Sequence, residues 1–449
     1  MTQTVQVTLN NPDAQCADNR SGILCGSCAP NLSLTLGSSR CMPCSDAYLT
    51  LLIPFALAGI ALVMFLLILK LTVSFGTLNG LILYANIVQV NREIFLPPNE
   101  TNILTVFVAW VNLDLGIETC LYDGMNVYVY TWLQFLFPFY LWTLVCLIIL
   151  LCHFSSTITR IFGTSDPVPV LATLLLMSYA KILHAIIDAL SKTGLQYPNN
   201  ALVNVWLLDG NIPYFCGAEH ISLAIFALLA LLLLFLPYTI LLLIGHKLQA
   251  YSDRRCFQWL NKIKPFMDAY YGPYKKENRY WTGFLLLVRC ALFLTFAFNA
   301  LGNASINLLA ITSVFAGIAV IAWLSGRIYE KLYLDILEAV YIFNLCIFAV
   351  ATYHVNAVGG DQAVLAYISV GIAFVTFIGT VIFHICLRIK DTSIWKKARK
   401  SELLVRILGR EADDHEEMVV TYEQRLNTPY RSEAATYNSL HLSESAVDS

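Results

Sequence analysis

Along most of this chain apolar residues come in long unbroken runs, and the polar residues gather in the gaps between them. A run of roughly 20 apolar residues is long enough to carry an α-helix through the hydrocarbon core of a bilayer. Such runs lie at about 48–70, 78–96, 128–152, 168–190, 220–245, 281–300, 304–325, 334–354 and 363–387. Asn86, Asn91 and Arg92 interrupt the second, and Arg289 sits inside the sixth. Residues 103–118 make a shorter apolar segment, which reads as a re-entrant or interfacial helix. Pro138 and Pro237 fall within long runs and are expected to kink their helices. The pattern predicts an all-α fold, a polytopic transmembrane helix bundle of about nine spans over 46–388. A small disulfide-rich segment over 1–45 precedes it. A basic juxtamembrane helix over 389–410 and a disordered cytoplasmic tail over 411–449 follow.

Composition agrees. The chain is 57% hydrophobic and only 13% charged, against about 25% charged in soluble domains. Its basic residues flank the apolar runs and form no stripe interleaved with an aromatic platform, so nucleic-acid binding is not expected.

Charge placement orients the bundle. Lys and Arg favour the cytosolic side of a membrane, and Tyr and Trp the headgroup level. The loop at 246–280 carries Lys247, Arg254, Arg255, Lys262, Lys264, Lys275, Lys276 and Arg279, ahead of Tyr280 and Trp281. Taking it as cytosolic puts the N-terminus outside and the C-terminus inside, in the plasma membrane. The glycosylation sequons at Asn19, Asn31, Asn99 and Asn303 then all fall on the outer side, where alone they can be used.

Five cysteines, Cys16, Cys25, Cys28, Cys41 and Cys44, crowd the first segment. Paired Cys-x-x-Cys spacings suit zinc in the cytosol and disulfides outside it; the outer location selects disulfides. Five is an odd number, so one partner lies elsewhere or upstream, and the segment reads as the end of a larger ectodomain. Cys120 and Cys216 fall in outer loops and are expected to bridge each other.

Charged residues within spans are costly and usually face a bundle interior or water. Lys181, His184 and Asp188 recur at i, i+3 and i+7, hence on one helical face with Ser178. Such a stripe suits proton transfer, a polar ligand or an internal ion pair. Arg289 is expected to pair with Glu338, near Asp335, because both spans start at the cytosolic face. Asp114, Glu118 and Asp123 surround the short apolar segment, as solvated loop carboxylates or a vestibule lining.

No Gly-x-x-x-x-Gly-Lys-Ser/Thr, His-Glu-x-x-His or Gly-x-Ser-x-Gly pattern is present, so no enzyme activity, metal or cofactor is expected. Residues 388–410 interleave Lys and Arg with Ile394, Trp395, Leu403, Leu404, Ile407 and Leu408, a pattern suited to anionic inner-leaflet lipids. Tyr437-Asn-Ser-Leu440 fits a sorting motif read by an endocytic adaptor.

The Gly-Ile-Leu-Cys25-Gly-Ser-Cys28 core with Cys41-Met-Pro-Cys44 resembles an EGF- or laminin-like module. Together with Tyr274-Lys-Lys-Glu-Asn-Arg-Tyr-Trp-Thr-Gly-Phe-Leu-Leu-Leu-Val-Arg289, it resembles large multi-pass surface proteins of invertebrates with EGF-like or β-helical ectodomains. The Tyr-Trp-to-Arg portion is more remotely similar to TRP-like, flavin-carrier-type membrane proteins. The first resemblance implies a surface receptor or adhesion-type protein that meets an extracellular ligand or matrix. The second implies a cation channel or transporter.

Overall fold

The computed structural model describes residues 4–6, 16–17, 19–36, 40–44, 48–96, 103–114, 120–154, 167–196, 202–248, 259–297, 304–358 and 362–390. The chain forms two compact units, residues 1–384 and 385–449. The described part of the second is 385–390, the last turns of the final helix. The expected helix over 389–410 beyond residue 390, the tail over 411–449, Tyr437, Leu440, Asn99, Asn303 and Glu118 lie outside the described residues.

The long apolar runs become helices α1 (Tyr48–Leu69), α5 (Val127–Phe154), α6 (Val168–Leu190), α7 (Ala218–Leu229) continuing into α8 (Leu236–Leu248), α11 (Ala304–Leu324), α12 (Leu332–Val358) and α13 (Gln362–Lys390). Counting α7–α8 as one, seven helices among the described residues are long and apolar enough to cross a membrane. That revises the expected nine. The run at 78–96 forms α2 (Asn79–Val90) and a single turn, α3 (Arg92–Phe95), and the run at 281–300 forms α10 (Trp281–Ala297), preceded by α9 (Trp259–Tyr271). Helix α2 is enclosed by the others, whereas α10 buries Trp281, Leu285, Leu286 and Arg289 and exposes Leu287 and Leu294 on its other side. Leu81, Ile82, Leu83, Ala85, Ile87 and Val88 are all buried, and so are Asn79, Asn86 and Arg289. A helix surrounded by protein can carry polar groups that a lipid-facing one cannot.

Pro237 has no N–H, and its ring would meet the carbonyl one turn back. The chain widens into a π turn over Ala230–Phe235 immediately before it, a usual way of accommodating such a break. Pro138 lies within the continuous helix α5.

Contacts fix which helix ends lie together. Val73 N donates to Thr173 Oγ1, joining the end of α1 to the start of α6. Asn79 Nδ2 donates to Tyr274 Oη, and Thr77 Oγ1 lies 3.0 Å from His384 Nε2, so the loop before α10 and the end of α13 belong there too. At the opposite end, Tyr128 Oη meets Ser222 Oγ, joining the starts of α5 and α7. Gln362 Nε2 donates to Ile94 O, bringing the start of α13 to the end of α3. The chain from Asn79 to Phe95 therefore runs from one end of the bundle to the other. Between the ends lie α4 (Ile103–Val111) and its following turn, where Asn112 reaches Asn86 in the middle of α2.

The cysteine-rich segment holds two short ladders, Arg20–Ser21 with Ser27–Cys28 and Ser33–Leu34 with Cys41–Met42. It is too short to build a hydrophobic core, and cross-links take that role. Its bridges are Cys16–Cys25, Cys28–Cys41 and Cys44–Cys120. The last corrects the expected Cys120–Cys216 pair and accounts for the odd cysteine within the chain. Cys44 and Cys120 have Cα atoms 5.7 Å apart, within bridging range. Cys216 sits exposed and unbridged on a turn between Phe215 (φ 54°) and Gly217 (φ 83°). A small sheet, not foreseen from the sequence, flanks this end. Strand Lys192–Gln196 pairs antiparallel with Leu202–Trp206 and parallel with Thr4–Gln6.

Candidate functional site

Two places concentrate polar structure: the junction between the cysteine-rich segment and the bundle, and the buried seam where α2, α10 and α12 meet.

At the junction the cap is fastened to two separate loops. Ser33 Oγ donates to Asp123 Oδ1 at 3.0 Å and accepts from Gly124 N at 2.8 Å, while Leu34 N donates to Met125 O. On the other side Gly210 N donates to Ile23 O, and Asn211 Nδ2 donates to Ser27 Oγ at 3.1 Å. Close backbone approach makes the contact possible, because a Cβ at Gly26 would stand 2.5 Å from Leu208 O. A cleft of about 190 Å³ lies between Cys28, Leu34, Gly124, Asn126 and Asp209. The sequon asparagines Asn19 and Asn31 occupy exposed turns of the cap, with φ of 69° and 64°, a conformation asparagine tolerates better than most residues.

In the seam, Glu338 is 5% exposed. Trp281 Nε1 donates to its Oε1 at 2.9 Å, and Tyr329 Oη donates to its Oε2. Tyr274 stacks on Tyr329 with ring centroids 4.7 Å apart, and its hydroxyl accepts from Asn79 Nδ2 at 2.8 Å. Backbone bonds between the two loops, Lys275 N to Ile328 O and Glu330 N to Pro273 O, hold the stack in register. Burial, reinforced by the charge of Glu338, raises the pKa of both phenols well above the usual tyrosine value, so they remain donors at neutral pH. Asp335, one turn before Glu338, accepts from the backbone N–H groups of Ile328 and Tyr329 at 3.1 Å each. It thereby fixes the loop that delivers Tyr329.

Arg289, 2% exposed, does not reach Glu338. Its Nη1 donates to Asn86 Oδ1 at 3.1 Å, and no ion pair joins it to a carboxylate among the described residues. The expected pair fails for a reason of depth. Trp281 and not Arg289 stands level with Glu338, and Arg289 lies eight residues farther on, about 12 Å along the helix axis. Asn86 passes the connection onward, its Nδ2 donating to Asn112 Oδ1, while Asn112 Nδ2 donates to the backbone oxygens of Ala85 and Val108.

The Lys181–His184–Asp188 stripe is also divided. Lys181 Nζ turns to Asp114 Oδ1 at 3.1 Å and Leu113 O at 3.2 Å. His184 Nδ1 lies 2.9 Å from Asp188 Oδ2, with the histidine side chain 56% exposed. Trp206 Nε1 donates to the backbone oxygen of Asp188, tying the small sheet to the end of α6.

Sequence reasoning found the charged members of the seam and missed their partners. Asn79, Asn86 and Asn112 are polar residues in apolar runs, which was the available signal. Trp281, expected with Tyr280 at the headgroup level, is instead a buried donor to Glu338, and Tyr274 is a buried stacking partner of Tyr329. Among the described residues no three His, Cys, Asp or Glu side chains gather as metal ligands.

Comparison with protein families, curated proteins and solved structures finds no match to this chain. The functional reading therefore rests on the geometry.

Proposed function

We propose that this multi-pass membrane protein is a plasma-membrane receptor or adhesion-type protein, with its cysteine-rich end outside and its C-terminus in the cytosol. An extracellular ligand or matrix component engages the cap, and the helices receive the event. The observation that carries this reading is the double fastening of the cap, to 120–126 through Cys44–Cys120 and Ser33, and to 207–211 through Ile23 and Ser27. An anchored tether needs one attachment to the membrane; a segment meant to move helices needs rigid attachment to several. The disulfides, the exposed sequons and the resemblance to an EGF- or laminin-like module support the outer location. Inner-leaflet lipids at 388–410 and an endocytic adaptor at Tyr437 and Leu440 complete the proposal on the cytosolic side.

The test is adhesion of cells expressing the chain to a laminin-rich matrix coating. Expression raises adhesion, and glycosidase treatment shifts the mass of the chain unless Asn19, Asn31, Asn99 and Asn303 are all changed to Gln. Labelling of Cys216 by a membrane-impermeant maleimide marks the same side. Adhesion equal to that of untransfected cells argues against the reading.

A TRP-like cation channel or transporter is the second reading, supported by the buried polar seam. Whole-cell current that appears on expression and is lost in Glu338→Gln would favour it over the first.

A further inference from the structure

At the inner end of the seam, Asn79 Oδ1 is buried with no hydrogen-bond partner, and Thr282 Oγ1 has none beyond the Tyr274 hydroxyl beside it. Both residues are only 4% exposed. The Tyr274 hydroxyl accepts from Asn79 Nδ2 and lies 3.4 Å from Tyr329 Oη. Tyr329 in turn donates to Glu338. Five oxygen-bearing side chains from α2, α10, α12 and the two interlocked loops thus converge on one place. A sixth, Tyr341, follows one turn after Glu338 and also has an unpartnered buried hydroxyl.

Charge is the second feature of this place. The hydrogen-bond donors to Glu338, Trp281 and Tyr329, are neutral. Arg289 is engaged with Asn86 two turns away, and Asp335, the nearest other carboxylate on α12, faces backbone N–H groups of the loop. Helix α11, packed along α12, carries no ionisable side chain. Burying a carboxylate without a contacting cation costs several kcal/mol. A proton would remove that charge yet leave Asn79 Oδ1 unsatisfied. Water would satisfy that oxygen yet leave the charge. A small cation with part of its hydration shell does both, and hard cations take oxygen ligands of these kinds. One carboxylate balances one charge, whereas oxygen sites for calcium usually gather several.

We propose that the junction of α2, α10 and α12 binds a partly hydrated alkali cation, sodium or potassium, through Glu338, Asn79, Thr282 and the tyrosine hydroxyls. Such a site would couple the ionic composition at the basic end of the bundle to the packing of its three most polar helices. It stands independently of what the cysteine-rich cap binds.

The test uses the full chain in lipid nanodiscs, with sodium chloride, potassium chloride and choline chloride at matched ionic strength. The expected result is a saturable rise in melting temperature with sodium or potassium but not choline, and retention of radioactive sodium that unlabelled cation displaces. Comparison of the two salts identifies the preferred ion. Glu338→Gln and Thr282→Val should each weaken binding at least about tenfold. Thr282→Val keeps the side-chain volume, so it reports on the site even if Glu338→Gln fails to fold. His184→Ala, outside the seam, should bind as the unaltered chain does. Equal melting temperatures in the three salts would overturn the proposal, as would sodium retention unchanged in Thr282→Val. Stabilisation that follows pH but not the cation would assign a proton to Glu338 and overturn it as well.

Discussion

Glu338 is held in the seam by two neutral donors, and their removal has a calculable direction. Trp281 donates its one N–H to the buried Glu338 carboxylate. A hydrogen bond to a charged group contributes roughly 1.5–3 kcal/mol. Trp281→Phe keeps most of the ring and loses that bond, so stability should fall by about that amount, measured by thermal unfolding in detergent. A fall of under about 0.5 kcal/mol would mean that Glu338 does not depend on the indole. The phenols give a pH signature. Tyr274 and Tyr329 lie in the loops at the bundle end, and their folded-state pKa values are raised by burial and by Glu338. For an acid raised in this way, the folded state binds more protons than the unfolded state above pH about 10, and stability falls as pH rises past that point. Melting temperature should therefore drop steeply between pH 9.5 and 11, and less steeply in Tyr274→Phe. The sequence placed Glu338 and Arg289 inside the bundle correctly and paired them wrongly. Pairing depends on relative depth to within one helical turn, which apolar runs do not specify to that accuracy.

At the level of elements, hydropathy located the long described helices with exposed apolar faces and was least informative for the enclosed α2. Helices α2 and α10 interrupt their own apolar runs with Asn86 and Arg289, and these are the residues through which they touch. The hairpin of Lys192–Gln196 with Leu202–Trp206 was hidden for another reason. Its strands are five residues each, too short for a period-2 signal to stand out beside the long helical runs. Close packing of α10 on α8 makes a further test. A Cβ at Gly283 would stand 2.5 Å from Leu243 N and 2.6 Å from Leu242 C, both backbone atoms that cannot swing aside. Gly283→Ala should separate the two helices and destabilise the bundle by about 1–3 kcal/mol. The same change at Gly317, where a Cβ would meet nothing within 4 Å, should be close to neutral. Equal melting temperatures for the two variants would contradict this packing.

For the whole molecule, the cysteine count and the charge bias were legible early, but the bridge that matters most was not. Cys44–Cys120 spans 76 residues of sequence, and no spacing rule reveals which distant cysteine the fold brings near. Its consequence is that the cap, the entry to α1 and the entry to α5 form one cross-linked corner, to which 207–211 is bonded from the far side. Hydrogen–deuterium exchange of the full chain in nanodiscs, comparing it with the Cys44→Ser, Cys120→Ser double variant, tests this coupling most directly. Coupling requires that losing the bridge also speeds exchange at 207–211 and in the first turns of α1 and α5. Faster exchange confined to the residues beside the two replaced cysteines would contradict it, and with it the proposal that the cap acts on the helices.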